Sequence, residues 1–412
     1  MPHNHPSRDP RIDLLRIFAA FWVILFHWWA ALYGYQSVFP ESLSQFANKA
    51  AQLPFGPLYG ISVLGDNAVP LFIIISAYLL SKQDKAGWGW LPNRLKKILF
   101  PYWTALLLSL PFLALAWQLN PMLMKLAKVK PLTLESVIAA FLLLQNTLKE
   151  TFLAPVQAWW FIPILLQLYL LYTPLRWLQK QLSVMVFLGL SAFLQLCWNI
   201  LVISLLLRTA ELPVALRYSG PSYLLLFAIG MVLARTKTST SFASHELYKE
   251  SAQHTPVASA RPFAWPAEQA TLDRQNYTVC DQEISVTRSP FLSAKLETSF
   301  NFITGISFWI GGIFLRFATQ RLVLFSETLI GTGLFLVGLP LAEALLRRAP
   351  ALAEKLSTLG EKRSYQIYLL HQPILYLLLI VLLPLASKPL ITILPFLVAG
   401  IWAVANTTKG RS

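Results

Sequence analysis

The sequence predicts an all-α fold, a polytopic transmembrane bundle of about ten spans with both termini in the cytoplasm. Three observations lead there. The 412 residues are 56% hydrophobic and only 13% charged, with mean hydropathy +0.54, a balance that soluble globular domains do not show. Apolar runs of near 20 residues, the length that crosses about 30 Å of hydrocarbon, recur along the chain. Basic residues gather in alternate connections: Arg8/Arg11, Lys82 to Lys97, Arg176/Lys180, Arg235/Lys237, Arg347 to Arg363 and Lys409/Arg411. Such grouping marks the cytoplasmic side. It also accounts for the net charge of +15 without a nucleic-acid partner. Lys125, Lys128, Lys130, Arg208, Arg217, Arg316 and Arg321 fall on the other side and break the pattern.

The first run follows a polar, basic N-terminus, MPHNHPSRDPRID, and is too long and too aromatic for a cleaved signal peptide. Span one is therefore expected near 12–34. Further spans are expected near 61–81, 95–117, 159–178, 183–206, 219–235, 301–316, 322–342, 364–384 and 389–406. The stretch LESVIAAFLLLQN near 134–146 is short for a span and reads as a re-entrant or interfacial helix. Three segments result: membrane spans one to six over 1–235, a polar insert over 236–300, and spans seven to ten over 301–412. The insert is rich in Ser, Thr, Ala and mixed charge without a helical or strand period, which predicts a disordered cytoplasmic segment. Cys197 and Cys280 lie in dissimilar contexts and imply no disulfide framework.

Ionisable residues inside apolar runs are costly and count as site candidates. Arg16 and His27 stand eleven residues apart in RIDLLRIFAAFWVILFHWW, so they share nearly one helix face about 16 Å apart along the axis. Headgroup anchoring by Arg16 and simple packing by His27 are the structural alternatives. Four more islands interrupt the apolar pattern. GDNAVPLFIIISAYLLSK carries Ser76 and Tyr78 around Ala77, where small residues also serve helix packing. NRLKKILFPYW places Arg94, Lys96 and Lys97 at the cytoplasmic start of span three, suited to a phosphate or to ordinary anchoring. QAWWFIPILLQ begins with Gln157, Trp159 and Trp160, an interfacial aromatic pattern. GEKRSYQIYLLHQPILYLL brings Ser364, Tyr365, Tyr368 and a second intramembrane histidine, His371, into one run, with Pro373 expected to bend it. No metal-ligand cluster appears: His3, His5, His245 and His254 lie in polar segments, and only His27 and His371 lie in spans.

Taken in order, these islands resemble the acyltransferase 3 family of integral membrane acyltransferases. An arginine, ten residues and a histidine in helix one correspond to Arg16 and His27. The family's Ser-Gly-Tyr or Ser-Gly-Phe signature is similar to Ser76-Ala77-Tyr78, with alanine for glycine. Its two arginines three apart resemble Arg94 and Lys97, where lysine keeps the charge but loses the bidentate fork. Its Trp-Phe followed by an apolar run to a proline resembles Trp160, Phe161 and onward to Pro174, and its late Ser-Tyr, Tyr-Leu, His signature is SYQIYLLH, Ser364 to His371.

The resemblance implies transfer of an acyl group, commonly acetyl, from cytoplasmic acyl-CoA to a hydroxyl of an extracytoplasmic or lipid-linked glycan in a bacterial inner membrane. No permanent cofactor is implied; acyl-CoA is a cosubstrate, and membrane lipid and the glycan acceptor are the partners. On this expectation His27 is the general base, with Arg16 and His371 beside it in catalysis. Arg94, Lys96 and Lys97 hold the CoA phosphates, and Ser76, Tyr78, Trp160, Ser364, Tyr365 and Tyr368 contact substrate. A transporter or flippase for a lipid-linked sugar or small anion would use the same intramembrane Arg and His residues, and a membrane sensor docking through 236–300 is a third reading. Acceptor identity, acyl length and oligomeric state are not legible in these residues.

Overall fold

Among the described residues, ten long helices carry the fold, and the apolar runs set their lengths. In the computed structural model, described for residues 8–53, 55–83, 87–209, 214–235, 290–318 and 323–408, they are α1 (Pro10–Tyr33), α2 (Gly56–Lys82), α3 (Leu91–Leu119), α4 (Gln157–Gln181), α5 (Val184–Thr209), α6 (Gly220–Arg235), α7 (Pro290–Ala318), α8 (Val323–Arg348), α9 (Pro350–Leu382) and α10 (Lys388–Thr408). Among the described residues no strand occurs. Among the described residues, eight helices are long and apolar enough to cross a membrane; α6 and the described part of α10 are shorter apolar helices. The chain is thus a polytopic helical membrane protein.

Two boundaries differ from the expected ones by more than ten residues. α9 begins at Pro350, well before the expected 364, because residues 350–363 are a polar helical extension that hydropathy alone does not register. α7 begins at Pro290, inside the segment expected to be without structure. The rest of that expectation, over 236–289, lies outside the described residues. By contacts the chain divides into two units, residues 1–235 with 301–412, and residues 236–300. The 134–146 stretch forms only the short helix Leu134–Phe141. Its last carbonyls, left without helical donors, accept from Tyr102 Oη (2.8 Å to Ala140) and Trp103 Nε1 (3.0 Å to Phe141).

α1 is the centre of the membrane unit. Seventy-two per cent of its apolar window is buried, as in α2, against 28% in α3 and α5, so the latter two present most of their side chains to lipid. Three glycines let neighbours close on α1. A methyl group at Gly65 of α2 would lie 2.3 Å from the Trp22 carbonyl oxygen, one at Gly338 of α8 2.4 Å from Leu15, and one at Gly360 of α9 2.0 Å from the Asp13 carbonyl oxygen. The Gly360 contact locks α9 against the start of α1, where Arg8 bridges Asp13 (2.9 Å) and Ser357 (3.0 Å).

α4 is fixed to α9 by a different device. Pro373 lies inside α9 and has no N–H, so the Leu369 carbonyl four residues earlier loses its helical donor. The Trp159 indole supplies the replacement, donating to Leu369 O at 3.0 Å. Two predictions follow from this packing. Gly360→Ala should lower the thermal midpoint of the detergent-solubilised protein, by about 1–3 kcal/mol of overpacking, whereas Gly189→Ala, with open space around it, should not. Trp159→Phe should cost about 1–3 kcal/mol by stranding a buried carbonyl, and adding Pro373→Ala should recover most of that loss in the same unfolding measurement.

Candidate active site

A cavity of about 390 Å³ enters the unit at the end opposite the arginine-rich connections and reaches His27. Its outer part is polar. Arg316 of α7 bridges Asp66 and donates to Asn67 Oδ1 at 3.1 Å, and Arg217 lies over the Tyr218 ring at 5.4 Å. Two arginines that broke the expected charge pattern therefore have partners at this cavity. Arg321 lies outside the described residues. Glu327 of α8 also lines the cavity, and its Oε2 is buried with no hydrogen-bond partner. Deeper, Trp160 and Tyr368 form walls beside His27.

His27 and His371 are brought together, their ring centroids 5.2 Å apart. Both are buried. Behind them runs a chain of amides that spacing alone did not reveal. Gln157 Nε2 donates to the carbonyls of Ala127 (2.9 Å) and Lys128 (2.7 Å), which turns its Oε1 toward Gln372. Gln372 Oε1 accepts from the Ala158 backbone N–H at 2.8 Å. Its Nε2 lies 2.9 Å from His27 Nδ1, 3.0 Å from Tyr376 Oη and 3.3 Å from Gln157 Oε1. His371 Nδ1 donates to the Tyr368 carbonyl at 2.6 Å, while its Nε2 is buried without a partner.

At the arginine-rich end Arg16, near Asp13 at 3.5 Å, lies close enough to Arg94 for the two charges to repel. Arg94 donates to Tyr169 Oη at 2.9 Å and stacks on that ring, and its Nε is buried without a partner. Two guanidiniums near one another are a pairing chemically suited to an anion. Lys96 and Lys97 are exposed and point away from that inward-facing arginine.

The remaining expected residues are placed as follows. Ser76 is half-buried and Tyr78 packs on Phe335 at 5.3 Å; neither lines the cavity. A methyl group at Gly230 would meet Ala77 at 2.8 Å, so this stretch serves a close approach of helices. Ser364 donates to the Gly360 carbonyl of its own helix and Tyr365 to the Ile98 carbonyl. Tyr368 donates its hydroxyl to the Ala158 carbonyl and offers only its ring to the cavity. Gln372 and Glu327 are the residues sequence reasoning missed. An acid within VLFSETLIGTG and an amide next to the intramembrane histidine in LHQP were the available signals.

A helical membrane protein with two adjoining intramembrane histidines, one of them at the foot of a polar cavity, and two arginines at the opposite end of the bundle is the class defined here. The family model described as an acyltransferase domain matches residues 9–406, nearly the whole chain, and the protein belongs to the acyltransferase 3 family. No curated protein and no solved structure matched. The site arrangement predicts that Arg316→Leu, which strands Asp66 in the cavity wall, lowers stability by about 1–3 kcal/mol. The Asp66→Leu/Arg316→Leu pair should be less destabilised than that single variant when the two are unfolded side by side.

Proposed function

We propose that this membrane acyltransferase moves an acyl group, acetyl foremost, from cytoplasmic acyl-CoA to a hydroxyl of an extracytoplasmic or lipid-linked glycan. The observation that carries the proposal is the position of His27. It lies at the foot of the cavity on the same helix as Arg16, which lies near Arg94 at the arginine-rich end. On this reading the arginine-rich end is cytoplasmic, in a bacterial inner membrane. Arg16 and Arg94 bind CoA phosphates, with exposed Lys96 and Lys97 adding attraction at the entrance. The thioester reaches inward along α1 for the roughly 16 Å that separates Arg16 from His27. The acceptor enters from the opposite face, where Trp160 and Tyr368 supply stacking surfaces and Glu327 an acceptor for sugar hydroxyls.

The chemistry asks little of the chain beyond placement and proton transfer. The acceptor oxygen attacks the thioester carbonyl carbon, the C–O bond forms, the C–S bond breaks, and the hydroxyl proton passes through an imidazole of the His27–His371 pair to the departing thiolate. Direct transfer needs no nucleophilic side chain. Two features suit this: the amide chain holds His27 in place, and the surrounding helices exclude bulk water that would hydrolyse the thioester.

His27→Ala is expected to cut acceptor-stimulated release of CoA from acetyl-CoA, in membranes supplied with an envelope glycan fraction, by at least about 100-fold at normal protein level. Full release by that variant would refute the assignment. Arg94→Ala should raise the KM for acetyl-CoA by about 10-fold, the loss of one charge-assisted contact, with a smaller rise for Lys97→Ala; unchanged KM in both would remove the phosphate site from the account.

A further inference from the structure

The two histidines differ in which nitrogen carries the proton, and backbone groups of fixed polarity decide it. A peptide N–H can only donate and a peptide carbonyl can only accept. Ala158 N–H therefore requires Gln372 Oε1 on its side, and this turns the Gln372 amide N–H groups toward His27 Nδ1. The Ala127 and Lys128 carbonyls orient Gln157 in the same way, so that its Oε1 also receives Gln372. Flipping Gln372 would set oxygen against oxygen at Gln157 and N–H against N–H at Ala158. A protonated Nδ1 on His27 would face N–H groups, so His27 carries its proton on Nε2. His371 is the reverse. Its Nδ1 proton is committed to the Tyr368 carbonyl, which leaves the lone pair on Nε2, buried without a protein partner.

We propose that His27 acts as an Nε2–H hydrogen-bond donor to the thioester carbonyl oxygen, that His371 Nε2 is the base, and that Gln372 is the positioning residue that holds His27 in its donor tautomer. The proposal rests on the acyl-transfer reading above and moves the base from His27, where the family resemblance puts it, to its neighbour. In the step, His371 Nε2 takes the acceptor hydroxyl's proton as the C–O bond forms. His27 Nε2–H stabilises the oxyanion, and when the C–S bond breaks the imidazolium of His371 returns the proton to the CoA thiolate. His371 borders a second cleft of about 480 Å³ on the flank of the bundle, with Trp28 and Arg363, and its ring lies against those of His27 and Tyr368. Catalytic hydrogen bonds of this kind commonly close only when substrate is bound. An unpaired buried nitrogen beside the cavity histidine is what a base awaiting its hydroxyl requires.

Nitrogen-15 NMR of the full chain labelled at histidine tests the tautomers directly, without any acceptor; comparison with His27→Ala and His371→Ala assigns the two resonance pairs. The expected spectrum has His27 protonated at Nε2 and His371 at Nδ1, with Gln372→Glu converting His27 to the Nδ1–H form. His27 protonated at Nδ1 in the wild-type chain would overturn the proposal. Kinetics with acetyl-CoA and the envelope glycan fraction provide the second reading. Loss of an oxyanion donor in His27→Ala should cost about 10²–10³-fold in kcat, and His27→Gln, which keeps an N–H but no base, should recover part of it. His371→Ala should lose about 10²–10⁴-fold and flatten the acidic limb of the pH profile. Gln372→Glu should lower kcat with KM for acetyl-CoA little changed. If Gln372→Glu instead keeps or raises activity and His27→Gln is as inactive as His27→Ala, His27 is the base: this inference fails while acyl transfer stands. Absence of CoA release by the wild-type chain alone counts against the acyl-transfer reading, and the NMR result still decides the tautomers.

Discussion

Lipid offers no hydrogen bonds, so every polar group at membrane depth must find its partner within the protein. Around His27 that constraint is met by one buried line of amides. It starts at the carbonyls of Ala127 and Lys128, passes through Gln157 and Gln372, and ends on His27, with the Ala158 N–H anchoring it from the side. The line joins the loop before α4, the start of α4, the middle of α9 and the centre of α1. Polar groups that would each be costly alone are satisfied together, and a partly satisfied network would be worse than an apolar core. The same line holds the cavity histidine in a single orientation.

Pro373 shows how backbone and site are coupled. By withdrawing its N–H it frees the Leu369 carbonyl, Trp159 takes that carbonyl, and the Trp159 segment thereby presents Ala158 to Gln372. One proline in α9 thus sets the height at which α4 docks. The glycines on α1's neighbours do the complementary work of bringing backbones close where no polar group is required, as at Gly360 and Gly65. Small residues at such crossings are the usual means of helix association in lipid.

Much of this was legible in the amino-acid order. Apolar run length located the ten long helices of the described residues, and the rarity of charge in such runs singled out Arg16, His27 and His371, which the fold brings to the arginine-rich end and to the foot of the cavity. The start of α9 was not legible, because residues 350–363 continue the helix with polar side chains. Lys97 and Tyr78 show a different limit: motif spacing places a residue on a helix, but only packing decides which face turns inward. Arg94 turns in and Lys97 does not. Gln372 escaped because an uncharged amide hardly alters hydropathy, although a buried amide in lipid carries an unmet demand for partners just as a charge does. Glu327 was visible by the rule that exposed the histidines.

The central claim is that donor and acceptor meet at His27 from opposite faces of the membrane. Proteoliposomes with radiolabelled acetyl-CoA sealed inside and an envelope glycan fraction outside test it most directly. The account predicts label on the external glycan with the wild-type chain and at least about 100-fold less with His27→Ala. Label appearing only when donor and acceptor share one compartment would contradict it.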